Sequence, residues 1–497
     1  MHNVLTDPTF TVTHYTGTEA TYSLAELYYE ATEDSIQSFK YLQSHQIQGW
    51  HTFLAQAAAM ALDIAGRTTL PESAEDWAVV LRGLGPDTMW YLEAELSEPA
   101  FCQAPVHDED ELDGREAHPW KNNVMITSKG HKTDSGRLSN PNEEHYLYWA
   151  VNVQQTSAYL VNTTANTSRM NGGTSSRLFL GVTPTLSFGR WLTHDIQAML
   201  EVHEHVKSTY AYKTSDVSAG QRVLWLSPHP NQKAEALHYS KCHPYYLDAP
   251  RRLRRANGQW HQLKPVQYNG ATRSENGLTG DVWAPHTTEK AISATGNIKG
   301  YRQLANILTS GDYTRPPIFR SYTDKGYVVL RVLTGGQGKR EHLIERVIPF
   351  DFSSVDAQSI LGGFTEDTPA AEKTQQRLEL AADAEKGIRR IFYFLYSRNL
   401  DGKADYSQSA DDYKNKVNAD IQARISQVFF EDLYDTDRSK EEDLAFFAEI
   451  VRTQFQELSD DMVRAGLTDR KWERKAKAVD IQSLYLNKIL RTDEPES

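Results

Sequence analysis

Two adjacent glycines, Gly172 and Gly173, lie in a stretch that is rich in hydrogen-bond donors, residues 168–177, here called the glycine segment. Glycine has no Cβ atom, so the backbone at these positions can approach a ligand closely. The donors around the pair belong to Arg169, Asn171, Thr174, Ser175, Ser176 and Arg177. These residue types favour a polar ligand that is bound through backbone amides and short side chains. An ordinary surface turn is the alternative.

The glycine segment does not have the signature of a nucleotide-phosphate loop. No Gly-Lys-Ser/Thr follows at the Walker spacing, and no Gly-x-Gly-x-x-Gly opens a helix. Backbone amides and short polar side chains instead suit contacts to phosphates or to the minor groove of duplex DNA, where few base-edge groups are available. The segment therefore predicts duplex binding rather than nucleotide binding.

A second candidate site is a run of imidazoles and carboxylates that begins at His194-Asp195 and continues to His203, Glu204 and His205. Such groups could bind a divalent ion, and a metal-dependent nuclease or hydrolase that uses His194, Asp195 and His203 is the alternative function. The spacing argues against it, because His194 and His205 would lie ~16 Å apart along one helix. The sequence contains no Gly-x-Ser-x-Gly or His-Glu-x-x-His motif. We therefore predict a non-catalytic chain that binds no metal.

Two clusters of basic residues could bind phosphates. The first is residues 251–255, and the second lies near the C-terminus. The basic members of the second cluster are Arg470, Lys471, Arg474, Lys475 and Lys477. Trp472 lies among them and could either stack on a base or pack in a helical core. The formal net charge of the chain is −13, which argues against a protein that coats nucleic acid with its whole surface.

Composition indicates a globular protein that is long enough for several domains. Of the 497 residues 39 % are hydrophobic and 24 % are charged. Cys102 and Cys242 are the two cysteines of the sequence, which excludes a disulfide framework and a four-cysteine zinc site. No apolar run reaches the ~20 residues of a membrane helix, and the N-terminus lacks a charged region followed by an apolar one. We expect a soluble cytoplasmic protein without membrane contacts.

The candidate residues need elements that position them. Hydrophobic periodicity predicts helices around residues 24–41, 50–65 and 188–205, and strands over residues 9–12 and 223–226. Residues 99–142 are rich in Asp, Glu, Gly and Asn and predict a long loop. The glycine segment would thus lie between ordered elements.

The C-terminal part of the sequence changes in composition. Residues 327–333 and 343–350 predict a β-hairpin with Lys339, Arg340 and Glu341 at its tip. Amphipathic helices are then predicted over residues 375–398, 413–429, 439–466 and 469–490, the third of which begins with the capping-box pattern Ser439-x-x-Glu442. We predict an α+β fold, in which a mixed domain with short sheets and a projecting hairpin (residues 1–365) precedes an antiparallel four-helix bundle (residues 370–497).

Several short motifs resemble those of the CasA family, the large subunit of the type I-E CRISPR Cascade surveillance complex. They are Asn3-Val4-Leu5-Thr6-Asp7-Pro8, Ser23-Leu24-x-x-Leu27-Tyr28, Pro99-Ala100-Phe101-Cys102-Gln103, Ile126-Thr127-Ser128-Lys129-Gly130-His131, Met170-Asn171-Gly172-Gly173 with Thr183-Pro184, and Gly280-Asp281-Val282-Trp283-x-Pro285-His286. Each motif is short, and the resemblance depends on their common order and spacing over most of the first domain.

The resemblance implies a role for each matched region. In CasA a glycine-rich loop recognises the protospacer-adjacent motif from the minor-groove side, which carries over to Asn171, Gly172, Gly173 and Thr174. A basic residue that assists this loop would be Lys264 or Arg273. The hairpin tip at Lys339, Arg340 and Glu341 would separate the DNA strands, and the loop with Lys129, His131 and Lys132 would dock the chain near the guide end. The clustered cysteines of some relatives are absent from the sequence, so their metal does not carry over.

These observations together predict a non-catalytic subunit of an RNA-guided complex. The chain would recognise a short flanking motif in double-stranded target DNA and start R-loop formation, while pairing with guide CRISPR RNA recognises the remaining sequence. The C-terminal basic cluster would contact the displaced strand. Expected partners are other Cascade subunits, the guide CRISPR RNA, target DNA and a helicase-nuclease recruited after the strands open, and no cofactor is expected. A pure assembly scaffold is a further alternative.

Overall fold

The computed structural model of this chain has a mixed α+β architecture with two compact units. The first unit comprises Met1–Ile298 and Asp312–Ser353, and the second comprises Lys299–Gly311 and Ser354–Ser497. The structure describes residues 1–106, 112, 115–116, 140–156, 169, 177–213, 217–227, 237–263, 275–292, 301–321, 325–334, 342–351, 369–396, 425, 429, 439–464 and 469–490. The predicted domain boundary after residue 365 falls outside these residues and stays a prediction.

The described strands form short antiparallel sheets within the first unit. The strands are β1 (Phe10–His14), β2 (Glu19–Tyr22), β3 (Ile36–Phe39), β4 (Arg115–Glu116), β5 (Phe179–Thr183), β6 (Leu253–Ala256), β7 (Gln259–Gln262), β8 (Lys325–Thr334) and β9 (His342–Asp351). The sheet orders are β2-β1-β3, β4-β7-β6 and β5-β8-β9. Strands β8 and β9 pair over their full lengths, from Lys325 opposite Asp351 to Thr334 opposite His342, which confirms the predicted hairpin.

Helices make up most of the remaining described structure. The first unit contains α1 (Leu24–Thr32), α2 (Ile47–Ile64), α3 (Ala74–Arg82), α4 (Glu143–Thr156), α5 (Phe188–Thr209) and α6 (Ala219–Arg222). The second unit contains α7 (Tyr301–Thr309), α8 (Pro369–Tyr396), α9 (Lys440–Arg464) and α10 (Asp469–Leu490). The helices predicted from residues 50–65, 188–205 and 469–490 are confirmed. No described helix has the length and apolar character that crossing a membrane requires.

Helix α2 is the centre of the core of the first unit. Nearly all of its side chains are buried, and it packs against α3, α4 and α5. Gly49 lets α2 approach α4 closely, because a Cβ atom at this position would lie 2.8 Å from Asn152 Oδ1. Helix α4 is the last described helix before the glycine segment and α5 is the first one after it, so the core fixes the described helices on either side of that segment.

The long helix predicted around residues 24–41 is wrong in its second half. Helix α1 begins at a capping box between Ser23 and Glu26, but it ends at Thr32. Asp34 then has a left-handed φ of 53°, which turns the chain away from the helix axis. Strand β3 follows and pairs with β1, so tertiary pairing overrides the helical periodicity of this stretch.

The strand predicted for residues 223–226 is also wrong. Leu224–Leu226 form a short 3₁₀ helix, and Val223 makes a single bridge to Leu247. Val223, Leu224 and Trp225 are buried, and a short buried apolar run does not distinguish a strand from a helical turn.

Three of the four predicted C-terminal helices are described, and α8 packs against both α9 and α10. The Ser439–Glu442 capping box is confirmed, with Ser439 N donating to Glu442 Oε2 at 2.8 Å and Glu442 N donating to Ser439 Oγ at 3.2 Å. The second predicted helix, residues 413–429, lies outside the described residues except for Ile425 and Phe429, both of which are buried. The complete four-helix bundle therefore stays a prediction.

Candidate nucleic-acid interface

Several residues that the sequence predicts for DNA and complex binding lie outside the described residues. They are Asn171, Gly172, Gly173 and Thr174 of the glycine segment, Lys264 and Arg273, the hairpin-tip residues Lys339, Arg340 and Glu341, and the docking-loop residues Lys129, His131 and Lys132. Their assigned roles are therefore proposals. Two described members of the glycine segment, Arg169 and Arg177, lie on either side of residues 170–176 and show how both ends of that stretch are held.

Arg177 is buried and paired with Asp281. Its Nη2 donates to Asp281 Oδ1 at 2.8 Å, and its Nε donates to Oδ2, so the guanidinium binds the carboxylate through two parallel hydrogen bonds. Nη1 donates to Gln155 Oε1 at 3.2 Å, and the guanidinium carbon lies 5.3 Å from the ring centre of Trp283. Burial alone would raise the pKa of the Asp281 carboxyl, but the Arg177 guanidinium outweighs burial and holds that pKa below its usual value.

Arg169 is buried in a different environment. Its Nη1 and Nη2 donate to the carbonyls of Pro244 and Tyr246 at 3.0 and 2.8 Å, and its guanidinium stacks 3.7 Å from the ring centre of Tyr246. Asp248 lies farther away, with 3.6 Å between Arg169 Nε and Asp248 Oδ2. Burial raises the pKa of Asp248 to about 6, although Arg169 opposes this shift. Main-chain carbonyls, rather than a close ion pair, therefore hold this end of the segment.

Buried carboxamides from α2 and α4 bind irregular backbone of the first unit, including the backbone of Arg177. Gln48 Nε2 donates to the carbonyl of Arg177 at 2.6 Å. The Gln154 amide donates to the carbonyls of Cys102 and Arg251 and accepts a hydrogen bond from the backbone nitrogen of Arg251. Irregular backbone can be buried only if its polar groups are paired, and these side chains supply the partners.

The segment that contains Gly280, Asp281 and Trp283 connects the Arg177 site to α5. Gly280 has a φ of 70°, and a Cβ atom there would lie 2.6 Å from the Tyr210 ring. Trp283 is fully buried, stacks on Phe179 of β5 and donates its Nε1–H to Asp195 Oδ2 at 3.0 Å. The CasA-like motif at residues 280–286 thus has a clear packing role beside the glycine segment.

The structure contradicts the metal-dependent site predicted as the alternative. Asp195 is fully buried, and its oxygens are engaged by His51 at 2.8 Å, Trp283 at 3.0 Å and His194 at 3.1 Å. His203 lies two turns farther along α5, ~12 Å away by the helical rise, and contacts Asp63 instead. His194, Asp195 and His203 therefore do not share one centre.

One group in the described part of the chain brings three metal-ligating side chains together: Asp63, His203 and His243. Asp63 Oδ1 lies 3.0 Å from His203 Nδ1, and Asp63 Oδ2 lies 2.9 Å from His243 Nε2. The backbone nitrogen of Tyr245 donates to His243 Nδ1 at 3.0 Å, so the neutral ring carries its proton on Nε2, which faces Asp63.

This hydrogen-bonding pattern is unsuited to a metal. Metal binding through His243 Nε2 would need the proton on Nδ1, where it would oppose the Tyr245 amide. His203 Nε2 is buried without a hydrogen-bond partner, although the second nitrogen of a metal-bound histidine normally donates to an acceptor. The two imidazoles instead act as hydrogen-bond donors, which lower the pKa of Asp63 against the opposing effect of burial. The group joins α2, α5 and the loop at residue 243.

The first basic cluster, residues 251–255, faces the protein interior. Arg254 is buried and donates to the carbonyls of Ala94 and Glu98 at 2.7 and 2.9 Å. Arg255 pairs with Glu93 and with Glu143, the latter at 3.0 Å. These arginines satisfy internal acceptors and offer no open phosphate-binding surface.

The second basic cluster lies on α10, where Lys471, Arg474 and Lys475 follow the i, i+3 and i+4 spacing of one helix face. Lys471 and Arg474 precede the buried Ala478 by two turns and one turn on the same side of the helix, and both are half-buried. Lys477 is exposed, Lys475 is half-buried, and the side chain of Arg470 lies outside the described residues. Trp472 is 56 % exposed, which excludes a place in the bundle core, and Lys475 Nζ lies 5.8 Å from its ring centre.

Sequence reasoning missed the polar residues that hold the ends of the glycine segment. Asp281 lies 104 residues from Arg177, and Gln48 lies 129 residues from it, so no local spacing connects them. The only available signal for Asp281 was its place in the motif at residues 280–286. Gln154 and Gln155 of α4 lie in a stretch, beginning at Tyr146, whose sequence is mainly apolar.

No protein-family model matches this sequence, and no curated protein matches it. Solved structures do match over almost the whole chain. Cse1 of Thermobifida fusca is 13 % identical with a TM-score of 0.64, and 99 % of each chain is covered. CasA of Thermus thermophilus is 14 % identical with a TM-score of 0.62, covering 98 % of this chain and 99 % of that one. A chain of a "CRISPR RNA-guided surveillance complex" is 10 % identical with a TM-score of 0.57, covering 98 % and 99 %. This protein therefore has the fold of the Cse1/CasA proteins.

Proposed function

We propose that this protein is a non-catalytic subunit of an RNA-guided surveillance complex and recognises a short flanking motif in double-stranded DNA. The observation that carries the proposal is the likeness to Cse1/CasA structures over nearly the full length of the chain. A match to one element or one domain would leave the function open. The CasA-like motifs of the sequence support the same function.

In this proposal Asn171, Gly172, Gly173 and Thr174 contact the minor groove at the flanking motif. The absent side chains of the two glycines admit the edges of a base pair, and the neighbouring amide and hydroxyl groups donate to them. Lys264 or Arg273 supplies a phosphate or base contact beside this loop. The buried arginines on either side support the assignment, because a loop that contacts base edges must be held in register with the duplex.

Strand separation follows recognition. The β8–β9 hairpin would bring Lys339, Arg340 and Glu341 between the strands beside the motif, so that the guide CRISPR RNA can begin to pair with the target strand. Exchange of a DNA duplex for an RNA–DNA heteroduplex is nearly balanced in free energy, so local opening at the motif is sufficient to nucleate it. No step requires a nucleophile, a general base or a metal from this chain.

The remaining assignments concern the larger assembly. Lys129, His131 and Lys132 would contact other subunits near the guide end. On α10, the exposed Trp472 and the nearby Lys475 offer a stacking surface and positive charge for the displaced strand. Arg470, Lys471, Arg474 and Lys477 would add phosphate contacts along the same helix. A helicase-nuclease recruited after R-loop formation would carry out cleavage.

The decisive experiment measures flanking-sequence preference in the assembled complex. The chain is co-expressed with its neighbouring subunits and a guide RNA, and bound duplexes are selected from a library with randomised flanks. We expect enrichment of a short motif on one side of the target. The same selection is repeated with Gly172→Asp and Gly173→Asp, and with Gly311→Asp as the matched control, because nothing lies within 4 Å of a Cβ atom at Gly311.

Loss of enrichment in the first two variants but not in the control supports recognition through the glycine segment. Enrichment that survives both variants would assign recognition to another region or another subunit. Binding without any flanking preference in the unmodified complex would favour a pure scaffold and overturn the proposal.

A further inference from the structure

We propose that Arg177 and Arg169 are positioning residues, which fix the two ends of residues 170–176 in the conformation that meets DNA. This inference rests on the proposed function and adds a requirement to it. The loop would depend on two buried guanidinium sites that do not themselves touch the duplex. Both sites consist of described residues of the first unit.

The Arg177 site fixes both the side chain and the backbone at one end. The two parallel hydrogen bonds to Asp281 set the orientation of the guanidinium, and Gln155 holds its remaining nitrogen. Gln48 binds the carbonyl of the same residue. An ion pair of this kind needs the planar fork of arginine, because an ammonium group cannot satisfy two carboxylate oxygens and a carboxamide with the same geometry.

The Arg169 site fixes the other end through different contacts. Its guanidinium bonds to two main-chain carbonyls and covers the ring of Tyr246, while Arg169 N lies 3.4 Å from Asp248 Oδ1. The chain that supplies these carbonyls, residues 244–248, is itself buried. The position of Arg169 is therefore set by packed structure rather than by solvent-exposed contacts.

Fixing both ends of a short segment reduces the conformations that it can adopt before DNA binds. Binding then costs less ordering entropy, and the alignment of donors with base edges is more exact. Sequence discrimination should depend on this alignment more strongly than phosphate binding does, because phosphate contacts tolerate small displacements. If Arg177 and Arg169 have a positioning role, replacing either one should weaken discrimination between flanking sequences without weakening phosphate binding.

The test compares Arg177→Lys and Arg169→Lys with Arg190→Lys in the assembled complex. Arg190 is a matched control because it pairs with Asp34 at 3.1 Å but is 67 % exposed, far from burial. For each variant the affinity is measured for a duplex with the enriched flank and for one with a scrambled flank. We expect the ratio of these affinities to fall by about tenfold in the first two variants, the size of effect typical of one buried charged hydrogen bond. Arg190→Lys should leave this affinity ratio unchanged. In all three variants, the affinity for the scrambled duplex and its salt dependence should stay as in the unmodified complex.

A variant that fails to assemble is replaced by Gln48→Met, which keeps the size of the side chain and removes its hydrogen bond to the Arg177 carbonyl. A smaller but selective fall in discrimination is expected for this variant. Equal losses for both duplexes would indicate a merely structural role, and unchanged ratios in all three variants would also overturn the inference. If the unmodified complex shows no flanking preference, the proposed function fails; if it shows one that the variants retain, only the positioning role fails.

Discussion

Trp283 donates its indole hydrogen to the fully buried carboxylate of Asp195 at 3.0 Å. This bond joins the motif at residues 280–286 to α5, and the Trp283 ring stacks on Phe179 of β5 and also contacts the guanidinium of Arg177. Asp195, which the sequence places in a possible metal site, is instead a hydrogen-bond acceptor that holds the elements around the glycine segment together.

Replacing Asp195 with asparagine should destabilise the first unit. The carboxylate accepts hydrogen bonds from His51, His194 and Trp283, whereas an amide would present its own hydrogens to some of these donors. We expect a loss of about 2–4 kcal/mol in the free energy of unfolding, as for other buried charged networks. Urea denaturation of the purified chain measures this loss.

His194→Gln is the matched control for this prediction, because His194 is more exposed and contributes one of the three contacts. It should cost less than Asp195→Asn. Equal stability of Asp195→Asn and the unmodified protein would contradict the role assigned to this carboxylate.

Gly280 should not tolerate a side chain. A Cβ atom there meets the Tyr210 ring at 2.6 Å and Val206 Cγ1 at 2.8 Å, in addition to the strain of a φ of 70°. Gly258 has a similar φ of 76° but nothing within 4 Å, so Gly258→Ala reports the backbone strain alone, about 1 kcal/mol. Gly280→Ala should lower the free energy of unfolding by clearly more than Gly258→Ala in the same assay. Equal effects would mean that the Tyr210 side chain moves aside at little cost.

The sequence predicted elements with strong local signals and missed contacts between distant residues. The β8–β9 hairpin, α10 and the Ser439 capping box follow from alternation, periodicity and cap residues, and the structure confirms them. The end of α1 was predicted incorrectly, because pairing of β3 with β1 decides it.

The partners of the candidate site were harder to predict for the same reason. Arg177 and Asp281 are 104 residues apart and His51 and Asp195 are 144 residues apart, so only the tertiary fold brings each pair together. Basic residues gave a misleading signal, since Arg254 and Arg255 bind internal carbonyls and carboxylates instead of phosphate. The sequence alone does not show whether a basic side chain is exposed to solvent or paired with acceptors of the same protein.

Asp248 should make stability fall as the pH rises from about 4 to about 6. Its pKa is raised from 3.8 to about 6 by burial, so the native state holds this proton in a range where the unfolded state has released it. The stability that the protonated Asp248 contributes is complete below the unfolded pKa, and about 3 kcal/mol of it is lost once the pH exceeds the native pKa. Asp248→Asn removes the titration, and the difference in unfolding free energy between this variant and the unmodified protein should change across that range. A constant difference would contradict the raised pKa.

His45 has the opposite effect over the same pH range. Burial lowers its pKa from 6.5 to about 4, so the stability that it contributes is complete above 6.5 and is lost as the pH falls toward 4. His45→Gln should remove this dependence. In unfolding measurements at several pH values, the slopes of Asp248→Asn and His45→Gln relative to the unmodified protein should have opposite signs. Slopes of the same sign would contradict one of the two assignments.

Trp472 should contribute to binding of single-stranded DNA without contributing to stability. Its side chain is 56 % exposed on α10, and base–aromatic stacking contributes about 1–3 kcal/mol per base. In the assembled complex, Trp472→Ala should therefore weaken binding of the displaced strand, measured with an R-loop substrate that carries a fluorescent label on that strand. Leu484→Ala, at a residue that is 59 % exposed on the same helix, controls for the loss of apolar surface. If both variants weaken binding equally, or if Trp472→Ala lowers the free energy of unfolding, Trp472 acts through packing, because stacking on a base requires an aromatic ring that the fold leaves open.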